Sequence, residues 1–193
     1  MAYDHVTDGA PGGAPGTPGA TVWLTGLPSA GKSTIARTAA DALRSAGRRV
    51  HILDGDELRA HLTADLGFSR EDRDTNVGRV GYVAQLLASH GVTVLVPVIA
   101  PYADARRAVR ERHAAAGTPY VEVHVATPVE VCATRDVKGL YARQARGELS
   151  GLTGVDDPYE PPAAPELRLP AHEQSRAESA RALVALLREK GLA

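Results

Sequence analysis

The stretch Gly26-Leu27-Pro28-Ser29-Ala30-Gly31-Lys32-Ser33-Thr34 decides the fold of this 193-residue chain. It has the pattern G-x-x-x-x-G-K-[ST], and its context matches. A β-rich apolar run, Thr21–Thr25, leads into it, and an amphipathic helical run, Ser33–Ala46, leads out. Glycines at 26 and 31 let the backbone fold tightly, so that successive N–H groups can face phosphate oxygens. The positive end of the following helix adds to the same anion site. In such a loop the lysine, Lys32, reaches the β- and γ-phosphates of a nucleotide, and the hydroxyl of Ser33 serves Mg²⁺. The spacing therefore predicts an ATP-binding loop, Gly26 to Thr34, and a bare glycine turn is the weaker reading.

Outward from this loop, strands and helices alternate. Arg49–Leu53 reads as a second strand and Asp56–Leu66 as a short helix with an irregular end. Asn76–His90 carries apolar residues at helical spacing. Val92–Ile99 is almost continuously apolar, as in a strand covered on both faces. A charged helix over Ala103–Ala116, a strand over Tyr120–Val125, a last short strand over Glu166–Leu169 and a helix opened by the capping box Ser175-x-x-Glu178 complete the series. Thr127, with Glu130 three residues on and Pro128 between, is read as another N-cap. This order predicts an α/β protein: a mostly parallel β-sheet with helices on both faces, the three-layer P-loop NTPase fold of the nucleoside-monophosphate-kinase kind. Ligands on such sheets bind beyond the carboxyl ends of the strands.

Residues 1–19 are mostly Gly, Pro, Ala and Thr with almost no large apolar side chain, and are expected to form a disordered tail before a kinase domain at 20–193. From Lys138 to Pro165 the pattern loses any clear period, and residues 138–160 read as a lid. A formal net charge of −1 offers no global field for nucleic acid or an anionic membrane. The single cysteine, Cys132, excludes an internal disulfide and fits a cytoplasmic location. It lies in an apolar run and reads as buried and inert, while His61 and His113 read as solvated helix residues.

Beside the loop, strand two ends in Leu53-Asp54-Gly55-Asp56-Glu57-Leu58-Arg59. Placed next to strand one, Asp54 and Asp56 would face the γ-phosphate, where a carboxylate orients metal-bound water or takes the proton of an attacking hydroxyl. An Asx turn and helix N-cap would use the same residues. Phe68, the only Phe, falls in a loop with Arg70 and Arg73. It is either a core plug or a stacking platform, and the arginines are either solvated or an anion clamp. No acidic residue ends Val92–Ile99: either the metal is held by Ser33 and waters with help from Asp54 or Asp56, or the chain is no kinase.

Together these blocks resemble the adenylylsulfate kinase family of P-loop kinases. They are Gly26–Thr34, Leu53–Arg59, Asp65–Arg73 with Asn76, Ala100-Pro-Tyr102, Val131–Tyr141 and Gly151–Glu160. The resemblance implies transfer of the ATP γ-phosphate to the 3′-hydroxyl of adenosine 5′-phosphosulfate, giving 3′-phosphoadenylyl sulfate and ADP, in sulfate assimilation. It implies Asp56 as the catalytic carboxylate, supported by Asp54 and Lys32. Arg59, Arg73 and Asn76 would grip the phosphosulfate and ribose, Phe68 would stack on the adenine, and Ile99 and Ala100 would contact the substrate through backbone. Lys138 would add charge from the lid, Gly151 and Leu152 would touch the substrate, and Arg135 would lie near the ATP adenine. Leu152 stands where many members have Phe, and Gly78 where many have Arg. Ala100 stands where some have Ser, so no phosphoserine can form there and direct in-line transfer is simpler. The resemblance also implies a homodimer, and an association with ATP sulfurylase goes with the reading as a regulatory subunit. The rivals are another small-molecule P-loop kinase, or a nucleotide-binding regulatory subunit without catalysis.

Overall fold

The computed structural model describes residues 18–193, a five-stranded, wholly parallel sheet and seven helices among the described residues. The strands are β1 (Ala20–Thr25), β2 (Val50–Ile52), β3 (Thr93–Pro97), β4 (Tyr120–Val125) and β5 (Leu167–Leu169), in the spatial order β2-β3-β1-β4-β5. The helices are α1 (Lys32–Ser45), α2 (Gly55–His61), α3 (Arg70–Ser89), α4 (Ala103–Ala115), α5 (Val129–Arg135), α6 (Leu140–Ala145) and α7 (Arg176–Glu189).

Side-chain alternation along the strands creates two cores. Val22 and Leu24 of β1 and Leu95 of β3 join Ile35, Ala39 and Leu43 of α1 and Leu183 and Leu187 of α7. Trp23 between them, with Val94 and Val96, joins Val77, Val80 and Ala84 of α3 and Val109 of α4. The central strands are therefore buried on both sides, which explains their unbroken apolar runs.

Four expectations need correction. The strand ending in Asp54 is not next to β1, because β3 lies between them, with Val22 paired to Leu95 and Leu95 to Ile52. Helix α3 starts at Arg70, well before the apolar period that begins near Asn76. Ser69 caps it by accepting from the Asp72 N–H at 3.1 Å, and its polar first turn carries no hydrophobic signal. Thr127 caps nothing. The N-cap position of α5 falls on Pro128, and the Thr127 hydroxyl donates to the Ala30 carbonyl at 2.9 Å. His113 is fully buried rather than solvated, with Nδ1 against the Val109 carbonyl and Nε2 against the Thr21 hydroxyl, both at 2.8 Å. Cys132 is buried as expected, and the Ser175–Glu178 capping box is formed. The tail reading, residues 1–19, lies outside the described residues except for Pro18 and Gly19. Gly19 is already buried, and the Pro18 carbonyl accepts from Arg48. No helix of the described residues is long and apolar enough to cross a membrane.

Candidate active site

The Gly26–Thr34 loop leaves the carboxyl end of β1 and runs into α1. Gly26 has φ 155°. A Cβ there would meet the Val125 carbonyl at 2.6 Å, so the loop hugs β4 only because that side chain is absent. Gly31 has φ 106° at the helix start, a region closed to most side chains. Four loop carbonyls are held by side chains. Thr127 donates to Ala30 O, Tyr141 OH to Pro28 O at 3.1 Å, and Lys32 Nζ to Gly26 O and Leu27 O at 2.9 and 2.8 Å. The first amides of α1 have no intrahelical acceptor, the arrangement that receives anions.

Lys32 is buried, and burial draws its pKa down to about 8, with Cys132, Asp56 and Asp54 opposing that fall and Lys138 adding to it. Its charge thus interacts with both carboxylates of the Asp-Gly-Asp turn and with the lysine at 138, although β3 separates their strands. Asp54 is the N-cap of α2, accepting from the Asp56 N–H at 3.1 Å, and it faces Arg37 at 3.4 Å. The N-cap reading of this turn is thus correct, and it leaves the exposed Asp56 carboxylate free to ion-pair with Lys138.

Around this centre lie the other residues singled out from sequence. Phe68 is 69% exposed, so the core-plug reading fails. The guanidinium of Arg59 lies 4.5 Å from its ring centroid and that of Arg73 5.9 Å. Arg59 donates to the Leu66 and Gly67 carbonyls, and the Asn76 amide oxygen accepts from Thr63 Oγ1 at 2.8 Å. Arg73 is only 8% exposed and engages the 151–157 segment. Its Nη1 donates to Thr153 Oγ1 at 2.7 Å, Nη2 to Gly151 O at 2.6 Å and Nε to Phe68 O at 2.9 Å, with Asp157 at 3.8 Å. Leu152 is 5% exposed and belongs to the buried cluster that includes Leu27 and Tyr141. Arg135 donates to Ala30 O at 3.4 Å and Ala171 O at 3.0 Å, bridging the phosphate loop and the segment after β5. Ile99 and Ala100 follow β3. Their carbonyls accept from Thr25 Oγ1 and Arg106 Nη1 respectively.

Among the described residues, the non-glycine residues at positive φ are Ser29, Ala100 and Asp136. One lies in the phosphate loop, one after β3 and one between α5 and α6. Strain of this kind gathers where a fold holds backbone for a purpose. A cavity of about 680 Å³ lies to the side of this ensemble, lined by Leu27, Thr127, Gly154, Asp157, Tyr159 and Arg168 among others, and not by Asp56, Arg59 or Phe68. Sequence reasoning missed Thr127, Thr153 and Asp157 as partners of the loop and of Arg73. Thr127 is 97 positions from Ala30 and Thr153 is 80 from Arg73, so these contacts leave no local pattern.

For a metal, no cluster of three or more His, Cys, Asp or Glu occurs among the described residues. The described residues therefore hold no ready-made cage, and the hydroxyl of Ser33 at the head of α1 and the carboxylates of Asp54 and Asp56 are hard oxygen donors of the kind a hydrated Mg²⁺ takes.

Comparison with known proteins agrees with this geometry. The Adenylylsulphate kinase family profile matches residues 18–170. An adenylyl-sulfate kinase of Rippkaea orientalis is 49% identical over 90% of this chain and 93% of its own length. That of Chloroflexus aurantiacus is 54% identical over 78% of this chain and 79% of its own. The structure of the Mycobacterium tuberculosis APS kinase CysC, in complex with AMPPNP and APS, superposes with a TM-score of 0.87 at 45% identity, covering 89% of this chain and 99% of that one. The chain belongs to the adenylylsulphate kinase family.

Proposed function

We propose that this protein transfers the γ-phosphoryl group of ATP to the 3′-hydroxyl of adenosine 5′-phosphosulfate, giving 3′-phosphoadenylyl sulfate and ADP for sulfate assimilation. The observation that carries the reading is geometric: Lys32 is buried in the phosphate loop on the Gly26 and Leu27 carbonyls, and Asp56 is ion-paired with Lys138, in a chain of this family. Relatives named for this activity match most of the chain, so a sugar kinase or a non-catalytic subunit is not favoured.

The loop amides of Gly26–Thr34 and the α1 terminus hold the triphosphate, and Arg135 borders its adenine. Mg²⁺, held by Ser33 and through water by Asp54, would neutralise charge developing on the phosphates. Phe68 offers an exposed ring for the second adenine, with Arg59 at its face, while Arg73 and Asn76 border the phosphosulfate and ribose. Gly151, Leu152 and Lys138 close the site from the lid, residues 138–160. Ile99 and Ala100 present backbone to the acceptor. Asp56 accepts or orients the proton of the 3′-hydroxyl, and Lys138 leaves its ion pair with Asp56 to meet the incoming anions. Catalysis is then positioning and charge stabilisation, with the lid excluding water. Ala100 has no hydroxyl, so a phosphoserine at this position is impossible.

The same reading includes a homodimer and an association with ATP sulfurylase, tested by sedimentation of the purified chain alone and mixed with that enzyme. The central test is transfer of labelled γ-phosphate from ATP to adenosine phosphosulfate, resolved by chromatography. Absence of labelled 3′-phosphoadenylyl sulfate overturns the proposal.

A further inference from the structure

Helix α4 carries an arginine whose guanidinium joins three parts of the site that are remote in sequence. Arg106 is 3% exposed. Its Nε donates to Glu122 Oε1 on β4 at 2.9 Å, its Nη1 to the Ala100 carbonyl at 2.7 Å and its Nη2 to the Glu160 carbonyl at 2.7 Å. Glu122 is balanced further by Arg110 at 3.3 Å, so the buried charges are paired. Two more bonds run between the same segments. Glu160 N–H donates to Pro101 O at 2.9 Å, and the Ala103 N–H donates to Glu160 Oε2 at 2.7 Å. Tyr159 OH lies 3.1 Å from Thr25 Oγ1, which itself donates to Ile99 O.

Ala100 sits at φ 43°. That conformation costs a non-glycine residue of order 1 kcal/mol or more and persists only where its surroundings impose it. The bond from Arg106 to the carbonyl of that same residue is charge-assisted and shielded from water, the kind that imposes geometry most strongly. The other arm of the same planar fork holds the end of the 138–160 segment. Moving one without the other would break a bond in a buried place, where an unmet carbonyl is costly. Lysine cannot substitute, because a single ammonium cannot serve three acceptors set around a plane.

We propose that Arg106 is a positioning residue for the phosphoryl acceptor. It fixes the Ile99–Ala100 backbone in the conformation that meets the sulfonucleotide, and it ties that backbone to the base of the lid. The inference rests on the acceptor site under Proposed function and goes beyond it by naming a residue that touches neither substrate.

The test is steady-state kinetics of the full chain with both substrates varied. Arg106→Lys is expected to raise the acceptor KM by about tenfold or more, the scale of one lost charge-assisted bond, while the ATP KM stays within about twofold. Glu122→Gln keeps an acceptor for Nε, and is expected to lower Tm while leaving the ratio of the two KM values unchanged. Arg106→Met/Glu122→Met removes both buried charges together, so it avoids a lone buried charge and folds where the single variant fails. It carries the same expectation as Arg106→Lys. An acceptor KM that stays within about twofold in whichever arginine variant folds overturns the inference, as does a rise shared equally by both KM values. A wild-type chain that phosphorylates no adenosine phosphosulfate overturns the functional reading instead.

Discussion

Replacing Arg73 by lysine should loosen the segment that covers the site, and the structure sets the size of the effect. The guanidinium donates to Phe68 O, Thr153 Oγ1 and Gly151 O and stands 3.8 Å from Asp157, at 8% exposure. A lysine ammonium lacks the far arms of the fork and can keep about one of those three acceptors, Phe68 O, so both bonds to the 151–157 segment go. Two charge-assisted bonds are then lost, each contributing about 1–1.5 kcal/mol net, so the closed arrangement of residues 151–157 weakens by about 2–3 kcal/mol. That corresponds to a rise of roughly 30- to 150-fold in the population of the open form. Hydrogen exchange reads this directly, because Gly154 N–H donates to Asp157 O and Val155 N–H to Leu152 O within the segment. In the unliganded chain these amides should exchange about 30-fold faster or more in Arg73→Lys, while amides of β1 and β3 keep their protection. Exchange of residues 151–157 within about threefold of wild type would refute this role of Arg73.

Three further outcomes are expected. Asp56→Ala should cut kcat by at least ~10²-fold, the scale of lost proton-transfer help, whereas Asp54→Ala should also lower Tm because it removes the α2 cap, worth about 1 kcal/mol; Asp56→Ala turnover near wild type would remove its proposed role. Burial lowers the Lys32 pKa to about 8, so the free chain loses this charge as pH rises through that value, while phosphate binding favours the charged form. The ATP KM should therefore climb between about pH 8 and 10, with proton uptake on binding seen by calorimetry in buffers of different ionisation enthalpy, and a flat KM over that range would contradict it. Burial also depresses the pKa of His113, and that of His124 to about 4, so both groups favour the folded state above the unfolded value of 6.5 and this contribution fades as pH falls below it. His113→Phe should lower Tm at about pH 7.5 by breaking its bonds to Val109 O and Thr21 Oγ1, and should flatten the fall of Tm between about pH 6.5 and 5; an unchanged slope there would assign the acid sensitivity to other groups.

The sequence by itself determined the layer architecture and the phosphate loop. Both are local: the order of β and α periods needs only neighbours within a few residues, and the loop needs its glycines, Lys32 and Ser33 in one short run. The Ser175 capping box and the buried β3 were legible for the same reason. Tertiary structure alone decided how the distant pieces meet. It put β3 between the phosphate loop's strand and the one ending in Asp54, yet kept Lys32 within the field of both carboxylates. It drew Thr127 away from a helix cap to Ala30 and buried His113 against β1. It turned Arg73 toward Thr153, 80 positions on, and Arg106 toward Glu160, 54 positions on. Those bonds depend on where the chain returns after folding, and a hydrogen-bonding side chain carries no mark in the sequence of which distant carbonyl it will find.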